Sequence, residues 1–403
     1  MEKSKNLKLL GAVLLIAGTA IGGGMLALPL DTGSVGFVPS LMFMLLAWSF
    51  MLVTGLFYVE ATLSFEEGIH IMSISRRLLG RSGKIFATII FLFINYASIL
   101  AYISGGGSLI QVLLQHSIGF ELSKPLAIFL FTAAFGTMIA FGTLFIEKVN
   151  GILFFALLIS YLALIVMGIT HVNFAYLLQK NWLFAPMTLP LMLTIYSYQA
   201  IIPSLAPYLD HDPKMLKKAI YFGMIISLLF FVVWEFVILG IVPYEGAYGL
   251  KAALKSGRGA TEFLFHHLQG MRLFPYLANF FAFFAIITSF FGISLATYDF
   301  FADGFKVAKK GIRKVFLLLL VLIPPLFFSV KYTNLFELAL ELSGSFGDAM
   351  ISGIIPALWV YSARYVHKLD QPYKVSGGKW TIGYVIAFSL LVLVVQIIKL
   401  NIG

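Results

Sequence analysis

The chain has 403 residues, 60% of them hydrophobic and only 11% charged, where soluble domains run near roughly 45–50% and about 25%. That balance excludes a water-soluble globular protein, and the lack of cysteine excludes disulfides and thiolate metal sites. The net charge of +10 comes from Lys and Arg set between apolar runs, not from a basic patch interleaved with stacking aromatics, so no nucleic-acid partner is expected.

A helix rising 1.5 Å per residue needs about 20 apolar residues to cross ~30 Å of hydrocarbon. Eleven runs qualify: 8–30, 36–63, 85–115, 125–144, 149–170, 186–209, 216–242, 274–304, 313–330, 334–362 and 380–401. They make an all-α membrane protein whose single transmembrane domain, 1–403, uses nearly the whole chain. The first run has the basic head and apolar stretch of a signal peptide. It extends from Leu9 to Leu30, however, and a second long run follows at once, which suits a retained first span.

An odd number of spans puts the termini on opposite sides. If the N-terminus is cytoplasmic, the inside segments hold 20 of the 28 Lys and Arg, among them Lys3, Lys5, Lys8, Arg76, Arg77, Arg81 and Lys84. The positive-inside bias therefore predicts a cytoplasmic N-terminus and a periplasmic C-terminus. Two connections look structured. Segment 64–84 sets Ile69, Met72 and Leu78 amid charge, and 243–272 spaces Leu250, Leu254, Phe263 and Leu264 as a helix would, so each predicts a surface-lying helix, the second capping an outer vestibule.

In the first span, Gly18-Thr19-Ala20-Ile21-Gly22-Gly23-Gly24 places four glycines in seven residues, each costing up to ~1 kcal/mol of helix stability relative to Ala. Such a helix unwinds, and unwound backbone survives at membrane depth only where it lines a cavity or is covered by protein. Gly18 and Gly22 also fit the small-xxx-small spacing of close helix packing. The sixth span, Tyr196-Ser197-Tyr198-Gln199-Ala200-Ile201-Ile202-Pro203-Ser204, puts polar groups and a proline inside an apolar run, and proline breaks the helical ladder. With repeat one at about 8–170, repeat two at about 186–362 and an extra helix at about 380–401, the two interruptions occupy equivalent positions in halves of five. A half-helix N-terminus offers free amides and about half a positive charge to a carboxylate, a role that falls to the backbone of Thr19, Ala20, Ile21, Gly22, Gly23 and Gly24.

At these residues the sequence resembles the hydroxy and aromatic amino acid permease family, within the amino acid, polyamine and organocation superfamily, and its tyrosine-specific members in particular. The resemblance spans the chain and is carried by AGTAIGGGMLALPL (17–30), AYISGGG (101–107), IPSLAPYLD (202–210), TSFFGISLATYDFFADGF (288–305) and KVSGGK (374–379). It implies a five-plus-five inverted-repeat fold with helices 1 and 6 broken and an eleventh helix added. It also implies a secondary active transporter that imports tyrosine or tryptophan across the bacterial inner membrane, by proton-coupled symport through alternating access. A monomer is expected. Carried over by position, Tyr102, Ser104, Tyr198, Gln199 and Ser289 lie near the pocket or the coupling site. Gln199 stands where such permeases are expected to have histidine, and an amide cannot take up a proton, so exchange or facilitated diffusion is the alternative.

Ionisable groups inside spans cost roughly 2.5–3.5 kcal/mol each at the centre and are candidates by default. Lys148 can replace a coupling cation if it nears the first and eighth helices; otherwise it snorkels beside Glu147. Glu341 and Asp348, seven apart, share a helix face and can flank the pocket. Glu60, Asp299 and Asp303 suit gates or structural ion pairs, while Glu235 and Glu337 complete the set with no assigned role. Nothing has zinc spacing, and the triple glycine lacks the following Lys-Ser/Thr of a phosphate loop, so neither a metal, a cofactor beyond the proton, nor a membrane-embedded enzyme is expected.

Overall fold

The computed structural model describes residues 2–65, 69–256, 267–268, 274–332 and 343–402, and all their regular structure is helical. Ten helices are long and apolar enough to cross a membrane, and the bent pair Lys5–Ala20 and Gly24–Thr32, angled at 48°, makes an eleventh crossing. The first crossing is α1 (Glu2–Ala20) and α2 (Gly24–Thr32); α3 (Phe37–Leu63) and α4 (Ile71–Ile118) are the second and third. The fourth starts as α5 (Lys124–Phe131) and continues through π and 3-10 turns to Phe141, and α6 (Thr143–Ile169) is the fifth. After the short α7 (Phe174–Leu177), the sixth is built from α8 (Leu189–Ile195) and α9 (Ile202–Tyr208), and the seventh is α10 (Pro213–Ile241). The surface helix α11 (Leu250–Ser256) precedes α12 (Phe274–Gly304), α13 (Ile312–Lys331), a π-helical Ser343–Ile354 running into α14 (Ile355–Tyr361), and α15 (Gly378–Ile402).

Local chemistry sets the boundaries. Gly142, at φ +85°, separates the fourth crossing from the fifth in a conformation that side chains disfavour. Asp212 caps α10 by accepting the amides of Lys214 and Met215, and Pro213 fills the first helical position, where no amide partner is needed. The expected surface helix in 64–84 is the start of α4, turned away from the rest by a left-handed Gly80 at φ +73°. Its residues Ile71, Ile74 and Leu78 are buried, while Arg76 and Arg77 face out. In 243–272 the described part is mainly α11, with Leu250 buried and Leu254 exposed; Phe263 and Leu264 lie outside the described residues.

Crossings differ in depth of burial, and this positions the site. The most apolar window of the eighth is 83% buried and that of the sixth 78%, against 28% for the ninth and 33% for the eleventh. Lipid-facing stripes mark the outer helices: on α6, Ile152, Ile159 and Val166 are each about two-thirds exposed while Ile146, Phe154, Leu157 and Tyr161 pack inward. At one end Lys8 pairs with Asp210, and at the other Lys399 of α15 pairs with Asp31 of α2, so the termini lie on opposite faces.

Candidate functional site

The first crossing is interrupted at Ile21–Gly23, where regular i to i−4 bonding gives way to tighter links such as Gly22 N–H to Ala20 O (2.9 Å) and Met25 N–H to Gly22 O (3.0 Å). Two carbonyls near the end of α1 are satisfied from outside the helix: the Ser289 hydroxyl of α12 donates to Gly18 O at 3.1 Å and Thr19 O at 2.9 Å. The glycines of this stretch do not adopt positive φ; they serve close approach. A methyl group on Gly22 would collide with Ser289 Oγ, with the Tyr102 hydroxyl just beyond, and one on Gly18 would press on Asn150 and Thr288. At Gly22 helix break and small-residue packing therefore coincide.

The sixth crossing opens at Tyr196–Tyr198, between α8 and a 3-10 turn at Gln199–Ile201 that leads into α9. Ser197, in the gap, donates to Asp348 Oδ1 at 2.6 Å, and Ser352 donates to the same oxygen at 2.9 Å. Asp348 is buried on the π-helical part of the tenth crossing, and its carboxylate faces the break. A hollow of about 20 Å³ lies between these groups, bordered by Thr19, Tyr102, Tyr198, Gly292 and Asp348. This volume holds a water and no more. A far larger cavity, about 800 Å³, opens at the N-terminal face below it, with Lys8, His70, Tyr208, Asp299, Asp303 and Lys309 on its walls.

The expected site residues divide. Thr19, Tyr102, Tyr198 and Asp348 border the hollow, and Gly22 and Ser289 lie against Tyr102. Ala20, Ile21, Gly23 and Gly24 form the buried backbone around the first break. Ser104 is buried two residues beyond Tyr102, which turns it roughly 200° around the helix, and it does not reach the hollow. Gln199 also turns away: its amide donates to Thr54 Oγ1 (2.9 Å) and Met51 O (3.1 Å) on α3, while its oxygen accepts the Tyr198 amide (3.0 Å). The residue anchors the break to the second crossing, which corrects its expected pocket-facing role. Tyr198 sends its hydroxyl to the same Met51 carbonyl, at 3.2 Å.

Lys148 is a second correction. It is exposed on the stripe that continues through Ile152, and the side of α6 facing α1 presents Asn150, whose amide reaches Leu14 O at 3.4 Å. Glu341 and Glu337 lie outside the described residues. Glu60 is buried with Arg364, which donates from Nε at 2.6 Å and from Nη2, while the Val375 amide adds a bond of 2.7 Å. Asp299 pairs with Lys309 at 2.6 Å, and Asp303 accepts the Ser73 amide at 3.2 Å, tying the end of α12 to α4. Among the described residues no three His, Asp or Glu gather as a metal site would need.

Two groups had too weak a signal in the sequence. His70, just before α4, is wedged between Phe91 and Phe300, and burial, with Lys309 beside it, pushes its imidazole down to about 3. Glu235 on α10 accepts the Thr32 hydroxyl at 2.6 Å. Its position within a span is the one signal the sequence offers; what singles it out is that no cation among the described residues pairs with it, visible only in three dimensions.

Two facing helix breaks around a buried carboxylate, with a wide cavity leading to one face, define a multi-pass membrane carrier of the five-plus-five inverted-repeat class, with an eleventh helix. A nucleobase-cation-symport-1 family transporter, solved in a closed conformation with bromovinylhydantoin bound, shares this fold at a TM-score of 0.65 and 14% identity, over 97% of this chain and 89% of that one. The chain belongs to the tryptophan/tyrosine permease family, whose sequence profile matches residues 5–396. It is 31% identical to tyrosine-specific transport system 1 of Haemophilus influenzae over 96% of this chain and 95% of that protein. A tryptophan-specific transport protein of the same organism is 28% identical over 98% and 97%. The chain is a transporter of aromatic amino acids and not an enzyme.

Proposed function

We propose that this permease imports tyrosine in preference to other aromatic amino acids across the bacterial inner membrane, by proton-coupled symport with alternating access. The N-terminal face is cytoplasmic in this reading, and residues 8–170 and 186–362 are the two inverted repeats. The observation that carries it is the hollow shared by Thr19, at the end of α1, and the second break, whose Ser197 is bonded to Asp348. A zwitterion needs one site for each charge. The amides that open α2 suit the carboxylate, since a half-helix N-terminus bears about half a positive charge. Asp348, held by Ser197 and Ser352, suits the ammonium. Tyr102 and Ile293, bordering the same hollow, offer surface for the ring. The hollow must widen to admit it, and separation of α2 and α8 from the eighth and tenth crossings widens it without breaking a helix.

The positive-inside bias supports the orientation, and the wide cavity then leads to the cytoplasm. Gln199 is bonded to α3 and does not border the hollow, so in this reading the proton is carried by another group. Labelled tyrosine is expected to undergo counterflow in proteoliposomes and to accumulate faster under an acid exterior. Uptake indifferent to an imposed proton gradient would remove symport and leave carriage standing. Asp348→Asn should weaken substrate binding about a hundredfold or more, as expected when one member of a buried ion pair is lost. Binding read by thermal shift across the twenty amino acids ranks the cargo, since a ligand of the folded state raises apparent stability.

A further inference from the structure

Helix α10 carries a carboxyl group that the substrate site leaves unused. Glu235 is completely buried in the seventh crossing. Its Oε2 lies 2.6 Å from the hydroxyl of Thr32, the last residue of α2, which shares its one proton between that carboxylate and Leu28 O at 2.8 Å, and its Oε1 has no hydrogen-bond partner. No lysine, arginine or histidine among the described residues pairs with it. Asp31, beside Thr32, exerts a like charge on it; the Asp31 Oδ1 is taken by Lys399 of α15 at 2.7 Å, and its Oδ2 is also without a partner. From the sixth crossing, Tyr196 stands within the field of Glu235, at the edge of the helix break, and its buried hydroxyl likewise has no partner. The other close neighbour, Trp234, is occupied with Met25 O at 3.0 Å.

An ionised carboxylate in such a place is costly, because one hydroxyl cannot replace a hydration shell and a second carboxylate nearby opposes the charge. A proton on the carboxyl group removes that charge. The bonded partner of Glu235 is also a conformational one: Thr32 belongs to the outer half of the first broken helix. Movement of α2 away from α10 withdraws the Thr32 donor and admits water to the carboxyl group; closure seals it again.

We propose that Glu235 is the proton-binding group of transport, loaded from the C-terminal face when α2 swings out. This rests on the proton-coupled reading above. In the loading step a proton passes from a hydronium ion at that face to a carboxylate oxygen: one O–H bond of the hydronium breaks to leave water, one O–H bond forms on the carboxyl group, and the site becomes neutral before it closes. Release follows the opposite opening, past Tyr196 towards Ser197, Asp348 and the large cavity, so that proton and cargo leave by the same face.

The test is uptake by proteoliposomes given an acid-exterior pulse. Glu235→Gln keeps the shape and cannot titrate, and it should lose the wild-type response to the gradient at least tenfold. A wild type indifferent to the gradient would overturn the proton-coupled reading itself. A responsive wild type beside an equally responsive Glu235→Gln would overturn the assignment to Glu235 and spare that reading. If the variant inserts and carries nothing, infrared difference spectra decide: a protonated-carboxyl stretch at neutral pH, present in the wild type and missing in the variant, supports the assignment, and identical spectra sink it. Should Glu235→Gln fail to insert, Thr32→Val is used. Loss of that donor to the charged form should move the pH of half-maximal uptake upward by about one unit, and an unmoved profile overturns the proposal.

Discussion

Glu60 and Arg364 join the second crossing to the end of the tenth through a pair of bonds, with the Val375 backbone bonded to both partners. Removing one member leaves an uncompensated buried charge, at a cost of about 3–5 kcal/mol. Arg364→Met should lower the unfolding temperature in detergent sharply, and Glu60→Leu added to it should restore most of the loss; an unchanged midpoint in the single variant would show the pair to be solvated. His70 gives a pH prediction with a definite sign. Its imidazole is depressed to about 3 from the usual ~6.5, so the folded protein binds fewer protons than the unfolded chain between those values. The stability it confers is whole above about pH 6.5 and is lost towards acid at about 1.4 kcal/mol per pH unit. His70→Leu should flatten the fall of unfolding temperature with acidity in that window. Neither environment was legible from the residues themselves. A carboxylate ending a span can be read as an ion pair, but its partner lies 304 positions away, and a lone histidine in a loop gives no hint of two phenylalanines closing over it.

At the level of helices, the break in the first crossing was legible because four glycines in seven residues have few other uses, while the direction of Gln199 was not, since the turn after Tyr198 decides it. Lys148 shows the same limit. Its position on α6 could be counted, but which stripe faces lipid depends on the neighbours, and the buried stripe runs through Ile146 and Asn150. Gly22 lies in the break, so alanine there gains no helix propensity, and its β-carbon would strike Ser289 and displace the hydroxyl that satisfies Gly18 and Thr19. Valine collides further. Gly22→Val is expected to insert normally and abolish uptake, and uptake at the wild-type rate would remove the first break from the transport site.

Across the whole molecule, hydropathy alone gave the number of crossings and their order, and the two breaks gave the symmetry; the relative opening of the two ends required coordinates. The end bearing Lys8 and Asp210 carries the 800 Å³ cavity, and the other is latched by Lys399 on Asp31. A partly exposed pair of that kind contributes about 0.2–1 kcal/mol. Lys399→Ala should therefore raise the modification rate of a thiol placed at buried Leu250, on the same face, by up to about fivefold; the chain has no cysteine to compete. Finally, the short arm of α4 ahead of Gly80 works as a brace. Ser73 is bonded to Asp303 of the eighth crossing, Ser75 accepts from Trp359 of the tenth, and Leu78 accepts from Ser362. A strut fastened at three places to two other crossings makes the third, eighth and tenth a rigid frame at this face. The pivoting parts are then the split rods, and a bend elsewhere in the frame would have to shear those three bolts together.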